Sequence, residues 1–249
     1  MIIAVGGWRG AGATTTALLA ANCLAVGDSG AWLIEADPAG GVLSGRIHLP
    51  PQAIGGLERV SFPPQRISAT DAFDSVAHHV GGLKVVTAPA DPFRAHACHQ
   101  PRLPWTAGLR DLSGPVVIDV GRLRAGSPIW GVLTQADVVL LVTSPEVGAA
   151  VSAAEWLSAG GRVSPTDPGL PEGVARLVVV DAPCGVAFSR SVLQNDLADR
   201  WAGWLPWEPA TVDLVHRGAG AGDRRLRRSQ LNSAVDQMVG DLVGEGARR

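Results

Sequence analysis

The sequence predicts an α/β protein with a doubly wound, mostly parallel sheet flanked by helices. Short runs of Val, Ile and Leu recur along the chain, and helical stretches lie between them. Several runs are apolar at nearly every position, as in strands that are buried on both faces of a sheet. Alternation of strands with helices implies right-handed crossovers between parallel neighbours. We expect the 249 residues to form one domain, residues 1–249.

Seven runs are expected to be strands because they are short and rich in aliphatic residues. In chain order they are Ile2–Val5, Ala31–Glu35, Leu83–Thr87, Pro115–Val120, Val138–Thr143, Leu177–Asp181 and Gly203–Leu205. The segments that fit helices are Thr14–Val26, Ser127–Gln135, Val147–Ala159 and Ser189–Trp201. Between His48 and Phe73 the chain is rich in Pro and Gly, which predicts a long excursion from the sheet with one helix near Thr70–Val80.

The composition excludes several classes of protein. Hydrophobic residues make up 46% of the chain and charged residues 18%, which is typical of a globular protein and not of a disordered one. The net charge of −2 gives no global attraction to nucleic acid. Three widely spaced cysteines, Cys23, Cys98 and Cys184, indicate free thiols in a reducing compartment. The start MIIAVGG predicts a strand and not a signal peptide, and no apolar run reaches about 18 residues, so we expect a cytoplasmic protein.

The strongest motif is the glycine-rich loop GGWRGAGATTT, residues 6–16, which directly follows the first strand and opens the first helix. Glycines let successive N–H groups turn inward, and a helix N-terminus adds partial positive charge, so this loop suits a phosphate group. Counted from Gly7, the spacing matches the phosphate-binding loop G-x-x-x-x-G-K-[ST], except that Ala13 replaces the lysine. Thr14 takes the position of the hydroxyl that holds Mg²⁺.

Two other interpretations fit the same glycines. Gly6, Gly10 and Gly12 match the G-x-x-x-G-x-G fingerprint of short-chain dehydrogenases, with Glu35 or Asp37 as the acid that binds the ribose. Those enzymes need a catalytic Tyr followed by a Lys, and this chain has no Tyr and a single Lys, so a dehydrogenase is nearly excluded. The remaining interpretation is a glycine turn that only lets the strand and the helix pack.

Four further segments, in order, resemble those of the ParA/MinD family of P-loop ATPases in the SIMIBI class. WLIEADPAGG (32–41) resembles the segment after the second strand, and VVIDVG (116–121) resembles the Walker B strand. ADVVLLVTSP (136–145) is similar to the next strand, and WLPWE (204–208) to the segment that packs by the base. The resemblance covers most of the chain except roughly residues 48–82. A loop with Ala at the lysine position resembles the degenerate TadZ/CpaE and septum-site-like branch.

The resemblance implies a P-loop NTPase fold, ATP or ADP with Mg²⁺ as cofactors, and a homodimer with a protein partner. The implied nucleotide-binding residues are Gly7, Trp8, Arg9, Gly10, Ala11, Gly12, Ala13, Thr14, Thr15 and Pro206. The implied Mg²⁺ ligands, direct or through water, are Thr14, Asp119 and Asp37. Asp37 and Arg9 are the catalytic candidates, and Glu35 is expected to reinforce the magnesium site.

Both lysines that the family places in this loop are missing. In the family one lysine bridges the β- and γ-phosphates and an earlier one reaches the partner's nucleotide, and the aligned residues here are Ala13 and Trp8. Losing a charge-assisted contact typically removes about 1.5–3 kcal/mol. We therefore expect an organiser that localises or partitions a cellular assembly, such as a chromosome or a pilus, with weak ATP hydrolysis or none. The alternatives are an active ATPase in DNA segregation that uses Arg9 in place of the lysine, and a nucleotide-free interaction module.

Weaker signals concern surfaces. The exposed-looking arginines Arg224, Arg225, Arg227 and Arg228 could contact DNA phosphates, although such a run is more often a solvated helix face. The apolar positions after them favour a last helix that packs on the core over one that lies on a membrane. His96, Cys98 and His99 are too few for a structural zinc site. Trp201, Trp204 and Trp207 are expected to cover a core edge or an interface.

Overall fold

The computed structural model describes residues 1–25, 30–65, 67–100 and 103–246, and the strands found there form one eight-stranded sheet. The strands are β1 Ile2–Gly7, β2 Ala31–Glu35, β3 His78–Val80, β4 Leu83–Val86, β5 Val116–Arg122, β6 Val138–Thr143, β7 Ala175–Val180 and β8 Trp201–Leu205. Their order across the sheet is β3-β4-β2-β5-β1-β6-β7-β8, and every neighbouring pair is parallel except β3 with β4. The predicted doubly wound, mostly parallel sheet is confirmed.

Helices cover both faces of this sheet. They are α1 Ala13–Leu24, α2 Leu43–Arg46, α3 Gly56–Ser61, α4 Ala69–Val76, α5 Pro92–Ala97, α6 Trp105–Gly108, α7 Trp130–Leu133, α8 Val147–Ser158, α9 Arg190–Leu197, α10 Pro209–His216, α11 Arg224–Arg227 and α12 Gln230–Gly246. One core cluster joins the sheet to α1, α2, α10, α11 and α12, and a second joins it to α3, α4 and α6 to α9. Burial on both faces explains why the central strands are apolar along their whole length.

Three predicted helices are wrong in extent. Ser189–Trp201 is α-helical only from Arg190 to Leu197, and Trp201 already begins β8. The segment predicted as one helix, Thr70–Val80, is helical only to Val76, and the chain then forms the antiparallel edge strand β3. The reason is the turn between β3 and β4, where Gly81 and Gly82 both have positive φ (55° and 91°), as a tight two-residue hairpin requires. Ser127–Gln135 contains only the four-residue helix α7. The predicted end of the first helix, Val26, lies outside the described residues.

The last helix packs on the core, as its apolar spacing predicts. Leu231, Val235 and Met238 are buried against α1 and β8, and so are Val239 and Leu242. No helix in the described part of the chain is both long and apolar enough to cross a bilayer. At the neighbouring sheet edge the Trp201 and Trp204 rings stack with centroids 6.4 Å apart.

A chain of aromatic rings anchors the excursion that follows β2. The Trp32 ring on β2 meets Phe73 of α4 edge-on at 5.9 Å, and Phe73 meets Trp105 of α6 at 6.5 Å. The indole N–H of Trp105 donates to the Cys98 carbonyl (2.7 Å), and His99 packs edge-on against Trp105. Burial of these rings holds the irregular segments after β2 and β4 onto the sheet.

A buried carboxylate fixes the loop after β2. Glu35 at the end of β2 has no exposed surface, and its Oε1 accepts hydrogen bonds from the N–H groups of Val42 and Leu43, each at 2.7 Å. Its Oε2 accepts from Ala88 N–H after β4 at 3.1 Å. Burial raises the pKa of Glu35 to about 7, and the Asp119 charge adds to the rise while the three amides oppose it.

Replacing Phe73 by Ala should destabilise the fold by about 3–5 kcal/mol, since the ring is fully buried at the centre of the aromatic chain. Urea unfolding followed by circular dichroism measures the change. The matched control is Phe93→Ala on α5, where the ring is 85% exposed and a change within about 0.5 kcal/mol is expected. Equal losses in the two variants would contradict the packing described above.

The contribution of Glu35 to the free energy of unfolding should fall as pH rises from about 4.5 to about 7. In that window the folded state still holds the Glu35 proton that the unfolded chain releases, so the folded state binds more protons and loses stability with rising pH. Glu35→Gln cannot titrate, and its side-chain carbonyl can still accept from Val42 and Leu43.

The measurement is urea unfolding of the wild type and Glu35→Gln at pH 5 and pH 7.5. The stability of the wild type relative to the variant should decrease between the two pH values. Glu155→Gln, an exposed site on α8, is the control and should follow the wild-type profile. Parallel profiles for the wild type and Glu35→Gln would show that Glu35 does not titrate in this window.

Candidate functional site

The loop between β1 and α1 turns sharply through left-handed backbone conformations. Gly10 and Gly12 have φ of 78° and 93°, and Arg9 has φ of 59°. Glycine adopts such angles freely, whereas a residue with a side chain is strained there by about 1–2 kcal/mol. Arg9 is therefore held in this shape by its surroundings, because Trp8 N–H donates to Val142 O (2.7 Å) just before it and α1 begins just after it.

The N-terminus of α1 faces the loop without a side-chain cap. Gly12 is the N-cap residue and offers no side-chain acceptor, and the first amide of the helix with a backbone partner is Thr16 N–H, which donates to Gly12 O at 3.0 Å. The N–H groups of Ala13, Thr14 and Thr15 therefore have no backbone partner. Unpaired amides and the helix dipole together favour an anion at this point.

Thr14 at the start of α1 lies beside Asp119 of β5, because α1 follows β1 and β1 pairs with β5. The Thr14 side chain lies close enough to the Asp119 carboxylate to oppose the rise in its pKa, and Asp119 Oδ1 accepts from Gly121 N–H at 3.1 Å. Asp119 is only 1% exposed, and burial raises its pKa to about 6. The backbones of α1 and β5 therefore set the positions of the hydroxyl and the carboxylate.

Asp37 joins this pair from the loop after β2. Its Oδ1 accepts from Ala39 N–H at 2.8 Å, and its carboxyl group lies directly over Gly121. A Cβ on Gly121 would be 2.0 Å from Asp37 Cγ, and Gly121 has φ of 66°, so only glycine fits there. Burial raises the pKa of Asp37, and Ala39 N–H and the charges of Arg124 and Arg122 oppose the rise.

These three side chains suit a magnesium ion that is also bound by phosphate. Hydroxyl and carboxylate oxygens are the ligands that Mg²⁺ prefers, and Mg²⁺ usually takes one or two of them and completes its shell with water and phosphate. Within the described ranges no cluster of three His, Cys, Asp or Glu is arranged to hold a metal by itself. His99, part of the weak zinc signal, is buried against Trp105.

The two positions that lack lysine are occupied by apolar packing. Ala13 is buried, and a Cβ on Gly7 would lie 3.2 Å from its methyl group. The Trp8 ring packs against Trp156 of α8, with centroids 6.3 Å apart and planes tilted by 46°. Neither residue brings a positive charge to the loop.

Arg9 points along the N-terminus of α8. Its Nη1 lies 3.7 Å from the place where a Cβ on Gly148 would be, and its charge helps to lower the pKa of Glu146 after the hydrogen bonds that Glu146 accepts from the amides of Gly148 and Ala149. Arg122, which sequence reasoning missed, has its Nη2 3.2 Å from the place where a Cβ on Gly10 would be. No local pattern of the sequence could have found it, because its position depends on the register of β5, which pairs Arg122 with Gly7.

Two predicted nucleotide-binding residues, Thr15 and Pro206, remain to be located. Thr15 Oγ1 lies 3.0 Å from His216 Nε2 on α10, a contact that the sequence does not reveal. Pro206 follows β8, three strands from β1 in the sheet order, and is half-buried. The structure thus brings α10 to the loop through His216 and places Pro206 at the same edge of the sheet but farther along it.

The arginine run lies on the surface around α11. Arg224, Arg227 and Arg228 are exposed, and Arg225 pairs with Asp223, the N-cap of the helix, at 3.1 Å. Leu226 between them is buried and fixes the orientation of the turn.

No model of a known protein family matches the chain, and no curated protein matches it. Solved structures do. The ParA family ATPase from Chlorobium tepidum aligns with a TM-score of 0.74 at 14% identity, over 97% of this chain and 98% of that one.

Two further solved structures that align with this chain contain a bound nucleotide. The septum site-determining protein MinD complexed with Mg-ADP, from Pyrococcus horikoshii, aligns with a TM-score of 0.69 at 14% identity, over 97% of this chain and 94% of that one. A putative plasmid partition protein from Borrelia burgdorferi bound to AMPPNP aligns with a TM-score of 0.67 at 14% identity, over 98% of both chains. The chain therefore has the fold of the ParA and MinD P-loop ATPases.

Proposed function

We propose that this chain is a nucleotide-binding organiser of the ParA/MinD kind, acting in the cytoplasm as one domain. The observation that carries the proposal is the glycine loop with an uncapped helix N-terminus, where Thr14 lies beside the buried Asp119. This arrangement offers amides to phosphate oxygens and hard oxygen ligands to Mg²⁺. Two structurally similar proteins are described with Mg-ADP and with AMPPNP, which supports the same class of ligand here.

The proposed roles follow from position. The backbone of residues 7–15 binds the phosphates, with Trp8 and Arg9 at the rim of the loop. Thr14 holds Mg²⁺, and Asp119 and Asp37 complete its surroundings directly or through water. Bound Mg²⁺ would supply charge neutralisation between the phosphate oxygens, and would also favour the ionised forms of Asp119 and Asp37, whose pKa values burial now raises. Pro206 lies toward the base.

We expect weak ATP hydrolysis or none, because Ala13 and Trp8 provide no positive charge. Phosphoryl transfer relies on positive charge near the transferred group, and one arginine at such a site is worth about 10³–10⁵ in rate. Bound nucleotide would then act as a structural element that shapes the surface around the loop. The lack of both lysines supports the proposal of a role like that of the degenerate TadZ/CpaE-like proteins, which localise pilus or septum machinery.

The proposal also includes association of this chain with a second copy and with a protein partner. We propose a homodimer that docks on a protein partner, with the nucleotide site close to the contact, because the loop and the rim residue Arg9 are exposed. The arginines of α11 are the candidate surface for non-specific contact with DNA phosphates, since Arg224, Arg227 and Arg228 are exposed together.

Calorimetric titration with MgATP and MgADP should show micromolar binding, and a parallel phosphate-release assay should show negligible turnover. Thr14→Ala should abolish or strongly weaken binding, because the variant lacks the hydroxyl that holds Mg²⁺. Thr166→Ala, an exposed threonine far along the chain, is the matched control and should bind as the wild type does. Absence of binding at millimolar nucleotide would leave only an interaction module, and turnover abolished by Arg9→Ala would make the chain an ATPase.

Gly121→Ala should displace Asp37 from the proposed magnesium site, since the new Cβ would overlap the Asp37 carboxyl group. We expect a loss of stability of about 1–3 kcal/mol and weaker Mg²⁺-dependent nucleotide binding. Gly126→Ala is a matched control, because Gly126 also has positive φ (77°) but a Cβ there would meet nothing within 4 Å. Nucleotide binding that depends on Mg²⁺ to the same degree in both variants would remove Asp37 from the site.

A further inference from the structure

The glycine loop lacks a lysine, yet a positive side chain does reach it from another part of the chain. Arg122 is the last residue of β5 and pairs in register with Gly7 of β1. The next residue, Leu123, donates its N–H to Gly7 O at 3.0 Å, and Leu123 also packs so closely on Gly6 that a Cβ there would lie 2.5 Å from it. The backbone of Arg122 is thus fixed beside the start of the loop.

The guanidinium group of Arg122 lies at the middle of the loop. Its Nη2 would be 3.2 Å from a Cβ on Gly10, which has φ of 78° and carries no side chain that could shield the loop from it. Gly10 belongs to the same loop as Ala13, Thr14 and Thr15, whose amides have no backbone partner. The arginine charge therefore lies beside this loop.

Arg122 is also available for a ligand. Its side chain is exposed, and no ion pair in the described ranges includes it. Arg9, by contrast, lies along α8 near Glu146. The charge of Arg122 also helps to oppose the rise that burial causes in the pKa of Asp37, after the larger effect of Arg124, so it acts on a residue of the proposed magnesium site.

We propose that Arg122 supplies the positive charge that binds the phosphates of a nucleoside di- or triphosphate in place of the missing loop lysine. The inference rests on the proposed nucleotide-binding function and adds to it the group that recognises phosphate charge. A guanidinium is always protonated, and its planar fork can donate two parallel hydrogen bonds to phosphate oxygens. Because it approaches from β5 and not from the loop itself, the loop can carry Ala at position 13 and still present a cation.

The test is calorimetric titration of MgADP and of adenosine into the wild type, Arg122→Ala, Arg122→Gln and Arg162→Ala, with circular dichroism as the check of folding. Replacing Arg122 should weaken MgADP binding by about 10- to 100-fold, the range expected for one charge-assisted contact, and should leave adenosine binding unchanged. Arg122→Gln keeps most of the side-chain length, so it shows the effect of charge even if the Ala variant folds poorly. Arg122→Lys should recover part of the affinity.

Arg162→Ala is the matched control, because Arg162 is an exposed arginine in the loop between α8 and β7 and its removal changes the net charge equally. It should change MgADP affinity by less than about threefold. Wild-type binding that survives Arg122→Ala and Arg122→Gln overturns this inference and leaves the proposed function intact. A loss of affinity in Arg9→Ala without one in Arg122→Ala assigns the cation to Arg9 instead. Failure of the wild type to bind MgADP overturns both proposals.

Discussion

The parallel pairing of β1 with β5 at the centre of the sheet determines where every group of the candidate site lies. Val5 pairs with Asp119 and Gly7 with Arg122, so the glycine loop, the buried carboxylate and the arginine leave the sheet at one edge. β2 pairs with β5 on the other side and aligns Glu35 with Asp119. Since parallel strands end at the same edge, their following loops converge, and this is where α/β proteins bind ligands.

This convergence brings the buried carboxyl groups of Glu35 and Asp119 together, and hydrogen bonds from the surrounding backbone stabilise them. Glu35 is held by three amides, and Asp119 accepts from Gly121 N–H and lies beside Thr14. Burial still raises the pKa of both carboxyl groups, so they store a stability cost that a nearby cation could relieve. A site that is costly when empty and favourable when a cation binds is typical of a functional centre.

The loop separates two properties that usually occur together. Its shape depends on glycines at positive φ and on the start of α1, and both are present. Its usual charge depends on a side chain at position 13, and there the chain has a buried alanine. Amide hydrogen bonds can bind phosphate without that charge, whereas acceleration of phosphoryl transfer needs charge placed at the transition state. The proposed organiser keeps the first property and lacks a lysine at position 13, and the charge that we propose for Arg122 acts on nucleotide binding.

The sequence by itself determined the fold class, most strands and the first and last helices, because periodicity is local and depends on backbone chemistry. The roles of Thr14, Asp37 and Asp119 stay predictions of the resemblance. The sequence did not reveal the β3 hairpin, where two glycines outweigh a helical pattern, or the contact of Thr15 with His216, which lies 201 residues away. Only the tertiary structure decided which arginine reaches the loop. Arg9 is adjacent in sequence but turns toward α8, and Arg122 is distant in sequence but is placed there by strand register, which no local pattern encodes.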